Sequence, residues 1–210
     1  MAKLLYVKAS PVGARSYSVA VADAFIASYR EKNPKDTIQT IDLFKIDLPA
    51  FDGFALQAKY TILHGLKHSA DELKAWAIVE KIIEEFKSAD KYAFAVPMWN
   101  FGIPYRLKQY LDLLIQPGYT FSFSPDSGYK GLVTGKPAFV SYARGGEYAP
   151  GTPGENYDFQ KKYFDLALGF IGFTDVRPLI IEPTLAGGAD VAKSKRELAI
   201  LEARKMAQAF

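Results

Sequence analysis

The sequence has no cysteine among its 210 residues. This absence excludes disulfide bonds, metal sites built from thiolates and every mechanism that starts from a cysteine nucleophile. The low-molecular-weight tyrosine phosphatases, which share a small α/β architecture, are excluded for this reason. The absence of cysteine is also compatible with a reducing compartment.

The sequence also lacks a long hydrophobic run. The apolar segment from Leu4 to Val7 is too short for the core of a signal peptide, and no small-residue cleavage pattern follows it. No stretch approaches the roughly 20 apolar residues that a membrane helix needs. We therefore expect a cytoplasmic protein that makes no contact with a membrane.

The sequence also lacks a large excess of either charge. The chain has 26 basic and 23 acidic residues, for a formal net charge of +3. A nucleic-acid-binding face would show a basic stripe with interleaved aromatic residues, and the sequence has none. We expect no nucleic-acid partner.

Histidine is equally rare, since only His64 and His68 are present. Their spacing is one that zinc ligands use, but the glutamate of a zincin helix is missing between them and no third ligand is evident. We expect two partly exposed histidines and no metal site. A G-x-S-x-G motif is absent too, which argues against a hydrolase of that type.

The hydrophobic residues that are present follow an alternating pattern. They make up 49% of the chain, enough for a single domain over residues 1–210. Short apolar runs alternate with longer amphipathic ones, which predicts a parallel sheet with helices on both faces. Five such units are typical of the flavodoxin-like doubly wound α/β fold, with strand order 2-1-3-4-5. The predicted strands are residues 3–8, 37–43, 91–96, 136–142 and 176–181, and the predicted helices are residues 19–32, 71–87, 104–116, 159–170 and 192–209.

Two segments are too long for simple connections in such a fold. We expect part of residues 44–69 to be helical. Residues 118–135 contain Tyr119, Phe121 and Phe123 between turn signals, which predicts an aromatic hairpin or flap. Loops of this length in compact domains are usually functional.

The loop after the first strand has features of a phosphate site. Ligands of open α/β sheets bind beyond the carboxyl ends of the strands. Ser10, Ser16 and Ser18 offer hydroxyls there, and we expect Ser18 to cap the following helix. The N–H groups and dipole at a helix N-terminus favour a phosphate. The pattern matches neither a Walker loop nor G-x-G-x-x-G, so a phosphomonoester fits better. Alternatively, the serines only cap the helix.

The loop after the third strand favours a flat ligand. Pro97, Pro104 and Gly102 stiffen it and let its backbone approach a ring closely. Trp99 and Phe101 are placed to flank or pack under such a ring. The alternative is a rigid turn that only closes the core.

The loop after the fourth strand is less specific. Gly145 and Gly146 allow backbone amides to approach a ligand, and Arg144 precedes them. Taken alone, this segment is better explained by a tight turn with a surface arginine. In the predicted fold all three loops lie on one edge of the sheet, and this coincidence favours a ligand site over three unrelated turns.

Taken together, these segments resemble one protein family. The chain is similar to the FMN-dependent NADH azoreductases, also called FMN-dependent NADH:quinone oxidoreductases, of the flavodoxin-like superfamily. The resemblance spans nearly the whole chain in one register. It is carried by Ser10, Ser16-Tyr17-Ser18, Pro97-Met98-Trp99-Asn100-Phe101, Gly118-Tyr119-Thr120-Phe121, residues 131–136, Ala143-Arg144-Gly145-Gly146 and residues 168–176.

The resemblance implies a noncovalently bound FMN and a set of residues around it. It also implies a homodimer with each flavin near the subunit boundary. Phe121 matches a position that stacks on substrate in the family, and Ala167 stands where the family can place a second aromatic residue. The implied FMN residues are Ser10, Ser16, Tyr17 and Ser18 at the phosphate, Pro97, Met98, Trp99, Asn100 and Phe101 along the isoalloxazine, and Ala143, Arg144, Gly145 and Gly146 from the fourth-strand loop.

The implied activity is a two-electron reduction with ping-pong kinetics. NADH or NADPH would reduce the flavin and leave, and a quinone or aromatic azo compound would then take its place. A flavodoxin-type electron carrier is the alternative function. Such carriers are acidic, and the net charge of +3 argues against one. A cofactor-free receiver domain would need clustered acidic residues after the first strand, where Ser10, Pro11 and Val12 stand instead.

Overall fold

The computed structural model describes residues 1–210, apart from the side chain of Ala14. Strands and helices alternate along most of this chain. The strands are β1 (Lys3–Lys8), β2 (Thr37–Asp42), β3 (Lys91–Pro97), β4 (Phe121–Ser124), β5 (Gly128–Gly131), β6 (Ala138–Ala143) and β7 (Val176–Ile181). The helices are α1 (Tyr17–Lys32), α2 (Gly53–Leu63), α3 (Ala70–Lys87), α4 (Tyr105–Leu114), α5 (Lys161–Ile171) and α6 (Gly188–Gln208).

Five of the strands form one parallel sheet in the order β2-β1-β3-β6-β7. This is the predicted order 2-1-3-4-5, because β4 and β5 pair only with each other. The predicted flavodoxin-like fold class is therefore confirmed. The carboxyl ends of β1, β3, β6 and β7 meet at one edge of the sheet.

Each face of the sheet is covered by helices and carries its own hydrophobic core. One core joins β1, β3 and β6 to α3, α4 and α5 and includes Trp76, Phe94 and Phe164. The other joins the opposite face to α1 and α6, where Phe25 and Phe139 stack with ring centroids 4.0 Å apart. Small residues of α6, such as Ala203, allow that helix to pack closely beside α1.

The start of α1 differs from the prediction. Ser16 has an extended backbone, and its hydroxyl accepts a hydrogen bond from the Val19 N–H, so Ser16 is the N-cap. Ser18 lies inside the first helical turn and is fully buried. The prediction that Ser18 caps this helix was wrong, because a serine suits either position and only the local hydrogen bond decides between them.

Helix α4 is shorter than the predicted segment 104–116. Pro104 precedes the helix with an extended backbone, and the last helical residue is Leu114. Pro117 explains the early end, because the residue before a proline disfavours the helical conformation. The predicted helical part of residues 44–69 is confirmed as α2, which Asp52 caps by accepting from the Phe54 and Ala55 N–H groups.

The predicted aromatic hairpin is present as β4 and β5, which pair antiparallel. Its base is held to α3 through Tyr119. The Trp76 Nε1–H donates to the Tyr119 hydroxyl (3.2 Å), which donates in turn to Glu80, and Lys87 Nζ donates to the Tyr119 carbonyl (2.7 Å). These contacts fix the position from which Phe121 projects.

No helix in the described part of the chain is long and apolar enough to span a membrane.

Candidate functional site

The loops that follow β1, β3, β6 and β7 enclose a cavity of about 230 Å³ at the carboxyl edge of the sheet. Its position is the one at which open α/β sheets bind their ligands. We call it the carboxyl-edge cavity. The residues that line it are Ser10, Val12, Arg15, Ser16, Tyr17, Pro97, Met98, Trp99, Ala143, Gly145, Thr184 and Leu185.

One end of the carboxyl-edge cavity is rich in hydroxyl groups. Ser10 and Ser16 are nearly buried, and the Oγ atoms of Ser16 and Ser18 lie 3.1 Å apart. This end lies at the N-terminus of α1, where free backbone N–H groups and the helix dipole attract an anion. Arg15 carries the one charge among the lining residues. The donor set at this end suits a phosphate group.

The loop after β3 forms a strained two-residue turn beside the cavity. The Trp99 N–H donates to the Gly102 carbonyl (3.0 Å) and the Gly102 N–H donates to the Trp99 carbonyl (2.9 Å). The two residues between them, Asn100 and Phe101, have φ angles of 45° and 69°. Such angles are costly for a residue with a bulky side chain and concentrate at functional sites.

The loops after β3 and β6 carry free backbone donors in or next to the cavity lining. Within the described part of the chain, the N–H groups of Asn100, Phe101, Gly145 and Gly146 have no hydrogen-bond acceptor. Trp99 adds a half-exposed indole ring, which packs against Phe44 at a centroid distance of 5.7 Å. Backbone donors next to an aromatic surface suit a flat heterocycle with ring oxygen and nitrogen atoms.

The loops after β6 and β7 form the opposite wall and are joined by main-chain hydrogen bonds. The Thr184 N–H donates to the Arg144 carbonyl (2.9 Å), and the Leu185 and Ala186 N–H groups both donate to the Gly145 carbonyl (3.0 Å). A Cβ atom on Gly145 would lie 3.0 Å from Leu185 Cδ1. The Leu185 side chain therefore packs closely over Gly145.

Arg144 points away from the cavity into a buried polar cluster. Only 1% of its side chain is exposed. Its Nε donates to Gln160 (3.0 Å), one terminal nitrogen to Asp158 (2.9 Å) and the other to Glu182 (3.3 Å). The surface arginine considered from the sequence is therefore a buried one, and its side chain is already occupied.

The structure brings together most of the residues predicted to bind the cofactor. Eight line the carboxyl-edge cavity: Ser10, Ser16, Tyr17, Pro97, Met98, Trp99, Ala143 and Gly145. Five others do not line it themselves but lie one or two positions from a lining residue in sequence: Ser18, Asn100, Phe101, Arg144 and Gly146. That any of these residues binds a cofactor remains a prediction.

Four lining residues were missed from the sequence. Val12 and Arg15 belong to the loop after β1, which is the predicted phosphate site. Thr184 and Leu185 belong to the loop after β7, for which the sequence predicted no site. The rule that ligands bind beyond the carboxyl ends of strands applies to β7 as well, and would have pointed to this loop. Its composition alone gave no signal.

Phe121, the predicted substrate residue, lies in a different and larger cavity of about 820 Å³. We call it the hairpin cavity. Phe121 packs there against Phe170 at a centroid distance of 4.8 Å, and Phe123 and Tyr129 add two further aromatic rings to the lining. Ala167, where a second aromatic was considered, is buried. Lys59 is the charged group in the lining, and partial burial lowers the pKa of its ammonium group.

The fold and the carboxyl-edge cavity together define the class of protein. The strand order, the doubly wound layers and a hydroxyl-lined helix N-terminus beside an aromatic slot are those of a flavodoxin-like protein. The model of the flavodoxin-like fold family named Flavodoxin_2 matches residues 2–206.

Comparison with individual proteins narrows the class. An FMN-dependent NADH:quinone oxidoreductase from Nitratidesulfovibrio vulgaris (strain DP4) is 56% identical over 210 residues, which cover 100% of both chains. The crystal structure of azoreductase from Bacillus anthracis str. Sterne superimposes with a TM-score of 0.91 at 34% identity, covering 100% of both chains. An FMN-dependent NADH-azoreductase from Bacillus anthracis str. Ames Ancestor, in complex with FMN, gives a TM-score of 0.85 at 27% identity and covers 99% of this chain and 100% of that one. The chain belongs to the family of FMN-dependent NADH:quinone oxidoreductases.

Proposed function

We propose that this chain holds FMN noncovalently in the carboxyl-edge cavity and catalyses electron transfer from NADH or NADPH to quinones and aromatic azo compounds. The observation that carries the proposal is the convergence of four loops on one cavity whose lining combines serine hydroxyls near the start of α1 with the indole ring of Trp99. Such a cavity fits a molecule with a phosphate at one end and a flat ring at the other. The names of the relatives support this function and not that of an electron carrier.

The lining residues divide into two groups by what they would hold. Ser10, Ser16, Tyr17 and Arg15 would bind the phosphate together with the N-terminus of α1, and Ser18 would support Ser16 through their hydroxyl contact. The flat ring would lie between the loops that follow β3 and β6. Its neighbours there would be Pro97, Met98, Trp99, Ala143 and Gly145 through side-chain and backbone contacts, and Asn100, Phe101 and Gly146 through their free N–H groups.

When bound, FMN supplies the redox chemistry, accepting a hydride from the nicotinamide and passing electrons on to the acceptor. The protein fixes geometry and excludes water. We infer ping-pong kinetics, in which donor and acceptor use the same exposed ring face in turn. Steady-state plots at several acceptor concentrations should then be parallel, and intersecting lines would argue against this order.

We also propose that the protein is a homodimer. Within one chain, Phe121 lies in the hairpin cavity, whereas eight of the predicted FMN residues line the carboxyl-edge cavity. The latter, at about 230 Å³, is smaller than the roughly 300–1,000 Å³ of typical ligand pockets. A second copy that covers the exposed side of the flavin would enlarge the site. Light scattering should give twice the chain mass, and a monomer would contradict the proposal.

The organisation and location follow from the same function. We propose that residues 1–210 form one FMN-binding domain, since both hydrophobic cores share the single central sheet. We propose the cytoplasm as its location, because the pools of NADH and NADPH are found there and the chain has no cysteine to oxidise.

The visible absorption spectrum of the purified protein tests the proposal directly. A flavin spectrum should be present, or appear after incubation with FMN, and should bleach promptly when NADH is added without oxygen. A flavin spectrum that persists with both NADH and NADPH would favour the electron-carrier function. If the protein binds no flavin at all, the assignment of the cavity is wrong.

A further inference from the structure

The buried cluster around Arg144 joins segments that come from three different strand ends. Arg144 itself follows β6, Glu182 follows β7, and Gln160 lies at the start of α5. Gln160 extends the cluster to a third strand, because its Nε2 donates to the carbonyl of Val96 in β3 (2.8 Å). Pro97, which follows Val96 at the end of β3, lines the carboxyl-edge cavity.

Further contacts connect the same segment to the strained turn. The Phe159 N–H, between Asp158 and Gln160 in sequence, donates to the carbonyl of Phe101 (3.1 Å). The Phe101 ring also packs against Tyr157 at a centroid distance of 5.4 Å. The segment that receives the guanidinium of Arg144 therefore also holds the turn with two positive φ angles.

The shape of the guanidinium group suits this arrangement. It is planar and directs its N–H donors in fixed directions, so it can bind three acceptors at once. The three acceptors here are Gln160, Asp158 and Glu182, each at hydrogen-bond distance. A lysine at this position would offer a single ammonium group, which cannot direct donors to all three acceptors as the planar guanidinium does.

The charges of the cluster argue that it serves geometry more than stability. One positive charge, on Arg144, faces two carboxylates, on Asp158 and Glu182, and all three side chains are at least 87% buried. Removing charges from water is costly, and buried ion pairs are often matched in stability by neutral residues of similar size. Neutral residues would not supply the guanidinium group, whose directed N–H donors fix three segments relative to one another.

We propose that Arg144 is a positioning residue that holds the loops after β3, β6 and β7 in the conformation that binds the flavin, an inference that rests on the proposed function. It acts through its own backbone as well. Its carbonyl accepts from both the N–H and the hydroxyl of Thr184, a lining residue. Its side chain forms hydrogen bonds with Gln160, Asp158 and Glu182, which do not line the cavity, and so fixes the segments behind the lining.

A neutral variant of the full-length chain separates positioning from stability. In Arg144→Met/Asp158→Asn/Glu182→Gln, no charge is left buried and unpaired. Its urea midpoint should stay near that of the wild type. Its dissociation constant for FMN, measured from the rise in flavin fluorescence on dilution, should increase by about tenfold or more, a typical effect of losing groups that orient a binding site. Equal affinity within twofold in this folded variant would overturn the proposal.

Two single variants complete the experiment. Arg144→Lys keeps the charge and should fold, yet it should still weaken FMN binding by about three- to tenfold, because one ammonium replaces the fork. FMN binding within twofold of the wild type would overturn the proposal even if the neutral variant does not fold. Arg177→Met is the matched control. It removes an exposed arginine that is paired with Asp175 near the other end of β7, and FMN binding should not change. Failure of the wild-type protein to bind FMN would instead refute the proposed function.

Discussion

At the scale of single residues, Phe101 has the least favourable backbone conformation described above. Its φ angle of 69° and that of Asn100, 45°, form a turn in which asparagine followed by glycine is the preferred pair. In this turn, Phe101 occupies the second position, where glycine is preferred. Its ring is about half exposed, so burial of the ring explains little of its presence. We propose instead that the ring itself packs beside FMN in the proposed site, in addition to the contact made by the Phe101 N–H.

Replacing this residue by glycine should therefore separate stability from binding. Phe101→Gly should raise the free energy of unfolding of the FMN-free protein by about 1 kcal/mol, because glycine adopts positive φ without steric cost. The same variant should bind FMN more weakly. Urea unfolding and an FMN titration measure the two effects. A loss of stability would show that the contact with Tyr157 outweighs the strain.

The residues that sequence reasoning identified and those it missed differ in how local their signal is. Ser10, Trp99 and Gly145 stand in loops directly after predicted strands, so the chain itself marks them. The burial of Arg144 depends on Asp158 and Glu182, which are 14 and 38 residues further along the chain. No local pattern could have distinguished this buried arginine from a surface one.

At the scale of secondary-structure elements, the hairpin of β4 and β5 packs closely on the end of α5. A Cβ atom on Gly131 would lie 2.3 Å from the backbone nitrogen of Gly172, which ends α5 with a φ of 117°. The Val133 N–H also donates to the Ile171 carbonyl (2.8 Å). The hairpin thus lies on the helix end with no room for a side chain at Gly131.

An alanine at this point of contact should be disruptive. Gly131→Ala should lower the free energy of unfolding by about 1–3 kcal/mol, because the clash is with backbone atoms that cannot move independently. Gly169→Ala is the matched control, since it lies within α5 with open space around its Cβ position. The control should gain about 0.5–1 kcal/mol. Urea unfolding followed by circular dichroism measures both, and equal effects would contradict the close contact.

The elements themselves were predicted well where the hydrophobic pattern was strong. Strand β1 begins and ends where the pattern predicted, and α3 begins one residue before the predicted start, at Ala70. The errors are at element ends. The predicted helix 192–209 was wrong at its start, because α6 begins four residues earlier, at Gly188. Two other ends are set by single interactions. The hydroxyl of Ser16 determines the start of α1, and Pro117 determines the end of α4.

At the scale of the whole molecule, buried tyrosines make the fold sensitive to high pH. Burial raises the pKa of Tyr6, Tyr92, Tyr110 and Tyr142 above the ordinary value of about 10. Among the described residues, the Tyr110 hydroxyl has no hydrogen-bond partner at all. These phenols stay protonated in the folded protein at pH values where they ionise in the unfolded chain.

Stability should therefore fall as the pH rises above about 10. A group with a raised pKa contributes its full stabilisation below its unfolded pKa and loses it above. Each of the four tyrosines should add a slope of about 1.4 kcal/mol per pH unit to the loss. Urea unfolding between pH 8 and about 11 measures this slope. Tyr110→Phe should reduce it by one tyrosine's share, and an unchanged slope would argue against burial as the cause.

The outer strand β7 includes Pro178, opposite Val140 of β6. Proline has no N–H and is tolerated in a sheet only where its nitrogen is not needed by a neighbouring strand. The open edge of the sheet is thus interrupted near its middle, which prevents a strand of another molecule from continuing the ladder. Growth of the sheet by strand addition, the route to fibrils, is therefore disfavoured at this edge.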